Sequence, residues 1–273
     1  MIDEIARHIA GFPENQRMNR LREYLPLLIL KRIDDSGGWK NIAFTGGTAL
    51  RLVFKTERFS EDLDFSLVRK GGFDLARFAK DLGGHMGKLG LNSEVSGLKN
   101  SPAVTSFYLK FPGILYSLKL SDREEQKVSI KLEIDRNPPR GWGLDKYLSA
   151  DPLVFMVTHL DIESLFAGKL HAFLFRGFDK GRDYYDVLFF LRKNTRPNMK
   201  MFRNAVLQTN PDIKLAGVQD AAKLVWEKVG KADFRAVRRD LSPFLLKPEE
   251  IELIRPEIIL KAMDQAWGPF PSA

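Results

Sequence analysis

Asp62 and Asp64 stand two residues apart in EDLDFSL, where Leu63, Phe65 and Leu67 alternate with Asp62, Asp64 and Ser66. Such alternation predicts a half-buried strand with an acidic outer face. Carboxylates at i and i+2 of a strand project to one side with Cα atoms roughly 6.5–7 Å apart. That spacing lets both serve one hard divalent cation, Mg²⁺ or Mn²⁺, with phosphate oxygens completing the shell; a solvated strand face would read the same way. A short helix upstream, Gly46, Gly47 and Thr48 lie between an apolar segment ending at Thr45 and the helical run TALRLVF. Two glycines allow an anion to approach the backbone, Thr48 can donate a hydroxyl, and the helix start adds its positive dipole end, so the turn is a candidate phosphate seat. A plain strand-to-helix turn has the same composition. The acidic strand after the glycine turn is what gives the two features weight together.

A third carboxylate would make the set a phosphoryl-transfer site. Glu133 and Asp135 are the candidates, both on the polar face of KVSIKLEID, where Val128, Ile130, Leu132 and Ile134 form the other face. Either could equally be a solvent-facing edge. In ESLFAGKLHAFLF, Lys169 falls inside the apolar arc of Ile162, Leu165, Phe166, Leu170, Phe173 and Leu174, so its ammonium must snorkel or meet an anion such as a triphosphate. Asp183 and Asp186 share one face of the following helix, RDYYDVLFFL, which is otherwise almost wholly apolar. Carboxylates there are costly unless paired. Lys169, Arg176 and Arg182 are the available partners, and a buried ion pair between helices and a catalytic role are compatible readings.

Other chemistries are poorly served. The chain has no cysteine, which excludes thiolate catalysis, thiolate zinc sites and disulfides. His8, His85, His159 and His171 are scattered, the serines lack a nucleophile-elbow context, and the turn at Gly46 lacks the Gly-Lys-Ser/Thr of a Walker loop. Forty-three Lys and Arg against 35 Asp and Glu give a net charge of +8, favouring a polyanionic partner. The opening MIDEIARHIAGF is too charged for a signal peptide, and the richest apolar run, Leu25 to Leu30, is too short to span a bilayer. A cytoplasmic protein without membrane attachment is the expectation.

These residues need elements to position them. Helical spacing over the first 40 residues is broken at Pro13, and a strand at Asn41–Thr45 leads into the glycine turn. After the acidic strand come a helix from Phe73 to Leu89 and strands near Asn92–Leu98, Val104–Phe111 and Lys127–Asp135. Asn137 to Gly141 reads as a linker, beyond which the chain looks helical almost throughout: Glu163–Arg176, Arg182–Arg192, Lys200–Gln208, Gly217–Val229 and from Pro248 onward, with a break at Pro256. The fold class expected is α+β, a mixed-sheet domain over residues 1–140 followed by a mainly helical domain over 141–273 that completes the site.

FTGGTALRLVF, RFSEDLDFSL, IKLEID and ESLFAGKLHAFLFRGFDKGRDYYDVLFFL, in this order, resemble the AbiEii/AbiGii toxin family of nucleotidyltransferases, within the DNA polymerase β-like nucleotidyltransferase superfamily. The resemblance spans roughly residues 20 to 195. It implies a polymerase β-like core with a mixed sheet and a helical C-terminal portion. It places the glycine motif on Gly46, Gly47 and Thr48, the metal-binding aspartates on Asp62 and Asp64, the lysine motif on Lys169 and the acidic fourth motif on Asp183 and Asp186. Arg58 and Ser60 match the Arg-x-Ser lead-in and are implied nucleotide-binding residues; Glu133 or Asp135 would be the third acid, completing a metal set. The implied activity is a Mg²⁺- or Mn²⁺-dependent transfer from NTP to an acceptor, with RNA, and tRNA 3′ ends in particular, as the foremost acceptor and a cognate antitoxin as a partner. A nucleotide-binding interaction protein without transfer activity, and a transferase acting on a protein or small molecule, are the alternatives.

Overall fold

In the computed structural model, residues 1–69 and 71–269 are described. The chain divides into two units whose boundaries interleave. One comprises residues 1–49, 61–138 and 146–159; the other comprises 50–60, 139–145 and 160–273. The change of character near residue 140 therefore marks one of several crossings instead of a single border. The expected 1–140/141–273 division differs at 50–60, which belong with the helical unit, and at 146–159, which belong with the sheet.

The first unit is built on a mixed seven-stranded sheet. Its strands are β1 (Ile42–Thr45), β2 (Leu63–Leu67), β3 (Glu94–Asn100), β4 (Val104–Pro112), β5 (Lys127–Asp135), β6 (Leu144–Ser149) and β7 (Phe155–Leu160), in the spatial order β3-β4-β5-β2-β1-β7-β6. β1 and β2 are antiparallel, while β2 runs parallel to β5 and β1 parallel to β7. β5 alternates as expected, with Val128, Ile130, Leu132 and Ile134 buried and the intervening residues outward. β2 departs from simple alternation because it lies in the middle of the sheet: Ser66 is buried along with Phe65 and Leu67.

Helices α1 (Ile2–Ala10) and α2 (Glu14–Asp35) bracket the predicted break, with Pro13 as the N-cap of α2, a position where its missing N–H costs nothing. α3 (Gly46–Phe54) starts directly at the end of β1, and α4 (Leu75–Lys88) is capped by Asp74, whose side chain accepts from Arg77 N–H. α5 (Ile114–Ser117) is a single turn between β4 and β5. The core gathers Ile42, Phe44, Leu63, Phe65, Leu132, Ile134 and Val157, with Phe44 and Phe65 rings 5.6 Å apart.

The second unit is helical: α6 (Ile162–Phe175), α7 (Gly181–Arg192), α8 (Met199–Thr209), α9 (Val218–Lys231), α10 (Phe234–Leu241) and α11 (Pro256–Trp267), with a 3-10 turn at Pro248–Leu253 before the last. Asp161 caps α6 by accepting from Ser164 N–H. Phe166 of α6 stacks on Phe190 of α7 with centroids 4.4 Å apart, and Trp267 of α11 lies 5.7 Å from Phe166. Gly181 opens α7 where a Cβ would stand 2.3 Å from the Val237 carbonyl oxygen, so only glycine lets α10 come this close. β6, β7 and α10 are not expected from sequence. α10, FRAVRRDL, sets Phe234, Val237 and Leu241 at helical spacing and buries the last two, but its eight residues are short for a helix to be read from period.

Candidate functional site

The path of the chain at the end of β1 fixes the acidic residues of the first unit. Thr45 pairs in register with Asp64 across the antiparallel β1–β2 ladder. Gly46 then turns the chain with φ +75°, in the left-handed region that favours glycine, and a Cβ there would lie 2.0 Å from Asp64 Oδ2. Gly46 is thus a glycine for two independent reasons, backbone conformation and the carboxylate seated against it. We expect Gly46→Ala to push the Asp64 carboxylate out of place and to abolish activity more completely than it lowers Tm; a thermal melt run beside a transfer assay checks this.

Thr48 is used differently from expectation. Its hydroxyl, 8% exposed, donates to the backbone carbonyl of Asp62 at 2.5 Å. The single hydroxyl proton is therefore spent on fastening the start of the acidic strand to α3. Asp62 is exposed just before β2 and Asp64 is half-buried within it. The Asp62 carbonyl is thus bonded to Thr48 of the glycine turn, and the Asp64 carboxylate packs against Gly46 of the same turn.

The two candidates for a third acid are separated by register. In the parallel β2–β5 ladder Asp64 pairs with Glu133, whereas Asp135 pairs with Ser66, one pleat further from the turn. Glu133 is ion-paired with Lys131 on the same face of β5. Asp135 accepts from Asn137 N–H at 2.9 Å, and burial holds its carboxyl above the usual range against that bond. Among the described residues no three His, Cys, Asp or Glu side chains gather as a metal cluster. The set near the turn is the Asp62–Asp64 pair, with Glu133 next in register. Two hard carboxylate oxygens beside a glycine cradle that a Cβ would fill suit Mg²⁺ or Mn²⁺ with the rest of the shell supplied by phosphate.

In the helical unit the predicted charged residues form a buried network. Asp186, fully buried on α7, accepts from Arg58 Nε and Nη2 at 2.6 Å each, a bidentate pair, and lies 2.8 Å from the Lys169 ammonium of α6. Burial alone would raise the Asp186 carboxyl, but the charges of Arg58 and Lys169 and their hydrogen bonds outweigh it and hold it below the usual carboxylate range. Asp183 is 3.0 Å from Arg176 Nε, close as charges but not aligned as a hydrogen bond. Lys180, the N-cap of α7, is pushed down by burial and by Arg182, Arg176 and Lys169 around it, so this end of the helix carries concentrated positive potential.

Arg58, expected beside a nucleotide, is 1% exposed, with Nη1 donating to the Phe59 carbonyl and Nε and Nη2 donating to Asp186, so its guanidinium serves the core of the helical unit. The segment that carries it is held as a strand-like bridge, with Phe59 N–H donating to Phe244 O and Leu246 N–H to Glu57 O. Ser60, its expected companion, is half-buried. Nothing periodic in Lys55–Ser60 announces a buried arginine; the available signal is Asp186, a carboxylate on an apolar helix whose two oxygens have room for more donors than one lysine. Lys169 keeps 18% of its side chain exposed while its ammonium is 2.8 Å from Asp186.

Comparison with solved structures gives two likenesses from Helicobacter pylori. JHP933 shares 19% identity at a TM-score of 0.52, over 89% of this chain and 92% of that one. A protein described as a candidate nucleotidyltransferase shares 20% identity at a TM-score of 0.53, over 89% and 95%. At this identity they show the fold, a mixed sheet followed by helices. No curated protein matches the chain. The family model described as nucleotidyl transferase AbiEii toxin, type IV toxin–antitoxin system, matches residues 28–267, which span both the glycine turn and the buried network. The chain belongs to the AbiEii family of nucleotidyltransferase toxins of type IV toxin–antitoxin systems.

Proposed function

We propose that the protein transfers a nucleotide from an NTP to the 3′-hydroxyl of an RNA, with tRNA as the acceptor. The observation that carries this reading is the Thr48–Asp62 hydrogen bond together with the close approach of the Asp64 carboxylate to Gly46, which sets two hard carboxylates beside a helix start. A divalent cation bound by Asp62 and Asp64 would supply neutralisation of phosphate charge. The chain's own part is positional and electrostatic: Gly46 and Gly47 offer N–H groups to phosphate oxygens, and Asp64 is held in place by Gly46. Register favours Glu133 over Asp135 as the third acid, the acceptor of the attacking hydroxyl's proton. The hydroxyl oxygen forms a bond to the α-phosphorus as the bond to the leaving pyrophosphate breaks.

Lys169 is proposed as a phosphate-binding cation of the helical unit, with Asp186 as the positioning residue that holds its ammonium and Asp183 balancing the cations at the start of α7. Membership of a toxin–antitoxin family implies a cognate antitoxin as a partner, and an NTP and tRNA supply would place the protein in the cytoplasm. Among the described residues no helix is long and apolar enough to cross a membrane.

Incubation with each α-³²P-labelled NTP and bulk RNA tests the reading. Label entering a ribonuclease-sensitive product, with pyrophosphate released and the reaction stopped by EDTA, is the expected result. Label that survives ribonuclease would move the acceptor to a protein or small molecule. No pyrophosphate from any of the four NTPs would leave a nucleotide-binding protein that acts without transfer.

A further inference from the structure

The helical unit holds a cavity of about 400 Å³ that none of the motif residues uses. It lies between α7, the segment after α3 and the 3-10 turn at Pro248–Leu253, and is lined among others by Lys55, Thr56, Phe189, Arg192, Lys193 and Lys247. Four of these are cations. The two carboxylates of the lining are already engaged: Glu57 faces the Lys247 ammonium at 3.5 Å, and Glu250 accepts from the Tyr185 hydroxyl at 2.5 Å. Burial together with that bond to Glu250 holds the Tyr185 phenol well above its ordinary range, so it stays a neutral donor. The cavity is therefore electropositive on balance, and Lys55, Arg192 and Lys193 stand exposed at its mouth.

Two further features suit a nucleotide. The Phe189 ring is half-exposed, with the Lys193 ammonium 5.3 Å from its centroid, an aromatic face beside a cation. Thr56 is 1% exposed, yet its hydroxyl has no hydrogen-bond partner, although the backbone around it is satisfied, its N–H donating to Leu50 O and its carbonyl accepting from Arg51. A buried hydroxyl without a partner is a standing cost in the free protein. In a cavity wall it is removed when a ligand brings a polar atom.

The geometry points to this cavity as a binding site for one unpaired nucleotide of a single-stranded RNA. The base or ribose enters toward Thr56 and Phe189, and the flanking phosphates rest on Lys55, Arg192, Lys193 and Lys247. Stacking and backbone cations are the two ingredients of such recognition. The inference rests on the reading that the acceptor is RNA, but it concerns binding, which can be measured without transfer.

The test uses fluorescence anisotropy of a 5′-labelled single-stranded oligoribonucleotide with the full chain carrying Asp64→Asn, so that no transfer intervenes. Arg192→Glu combined with Lys193→Glu, both at exposed positions, is expected to weaken RNA binding at least tenfold. The salt dependence of log K should become shallower by about 0.7 for each single-strand phosphate that the variant no longer neutralises. Thr56→Val separates a ligand site from a merely structural feature: the free protein should melt at the same or a higher temperature, while RNA binding falls roughly 3- to 10-fold, the worth of one hydrogen bond. RNA affinity unchanged by the double charge reversal, or a loss confined to ATP with RNA binding intact, overturns the proposal. RNA binding abolished in these variants of a protein that transfers nothing in the labelling assay would sustain the cavity site while removing the proposed transfer reaction.

Discussion

Asp64→Asn is expected to lower nucleotide incorporation by on the order of 10²–10³-fold, the loss seen when one preorganised electrostatic interaction is removed from a reacting centre. The substitution is isosteric, so the side chain still fits against Gly46 and the β1–β2 register of Thr45 with Asp64 is kept. What changes is charge. An amide oxygen is a far weaker ligand for a hard cation than a carboxylate, and the negative potential beside Asp62 and Glu133 drops by one unit. The isosteric amide keeps the packing of the side chain, so the loss should fall on activity and far less on Tm. This separation of activity from stability distinguishes a site residue from a structural one. Incorporation within threefold of the wild-type rate, in a variant whose melt is unaltered, would sink the assignment of Asp64.

Much of this site is legible in the sequence because its chemistry is local. The Asp62–Asp64 pair needs only strand alternation, and the glycine turn needs only the change of period between Asn41–Thr45 and TALRLVF. Both are statements about residues within a few positions of one another. Pairing of Asp186 with Lys169 and of Asp183 with Arg176 follows from burial arithmetic on an apolar helix, because an ionised group there must find an opposite charge. The features that escape are non-local. Arg58 meets Asp186 across 128 positions of chain, carried on a segment whose only regularity is its bridge to Leu245. The choice between Glu133 and Asp135 depends on how β5 registers against β2, which alternation cannot supply because both residues lie on the same face. The hydrogen bond from the Thr48 hydroxyl to the Asp62 carbonyl is a third feature that residue type and spacing do not announce, because it depends on how the loop before β2 folds back on α3. β6 and β7 escape because LDKYLS is an edge strand with little buried surface and FMVTHL is too short to be told from a helix start by period.

Asp186→Ala is expected to destabilise the protein by about 3–5 kcal/mol, the cost of removing one member of a buried ion pair and leaving the other uncompensated. Arg58, 1% exposed, would keep its charge in the core with only the Phe59 carbonyl to satisfy it, and burial of an unpaired guanidinium is what makes the loss large. Removing the charge from both sides should hurt less than removing it from one. Arg58→Met combined with Asp186→Leu is expected to be more stable than Asp186→Leu alone, a coupling that urea denaturation of Arg58→Met, Asp186→Leu and the double variant would measure. The pH dependence has a definite sign. The folded Asp186 carboxyl lies below its unfolded value of about 3.9, so its contribution is fully present above that pH and is lost as pH falls through the folded value. The Tm gap between wild type and Asp186→Asn should therefore be constant from neutral pH down to about 5 and narrow only below about 4. A gap that instead narrowed between pH 8 and 6 would assign the effect to another group. If Asp186 also positions Lys169, Asp186→Asn should raise the KM for NTP more than it lowers kcat, because the ammonium remains but its place is less defined. A purely structural carboxylate would leave KM alone in the fraction of protein that stays folded.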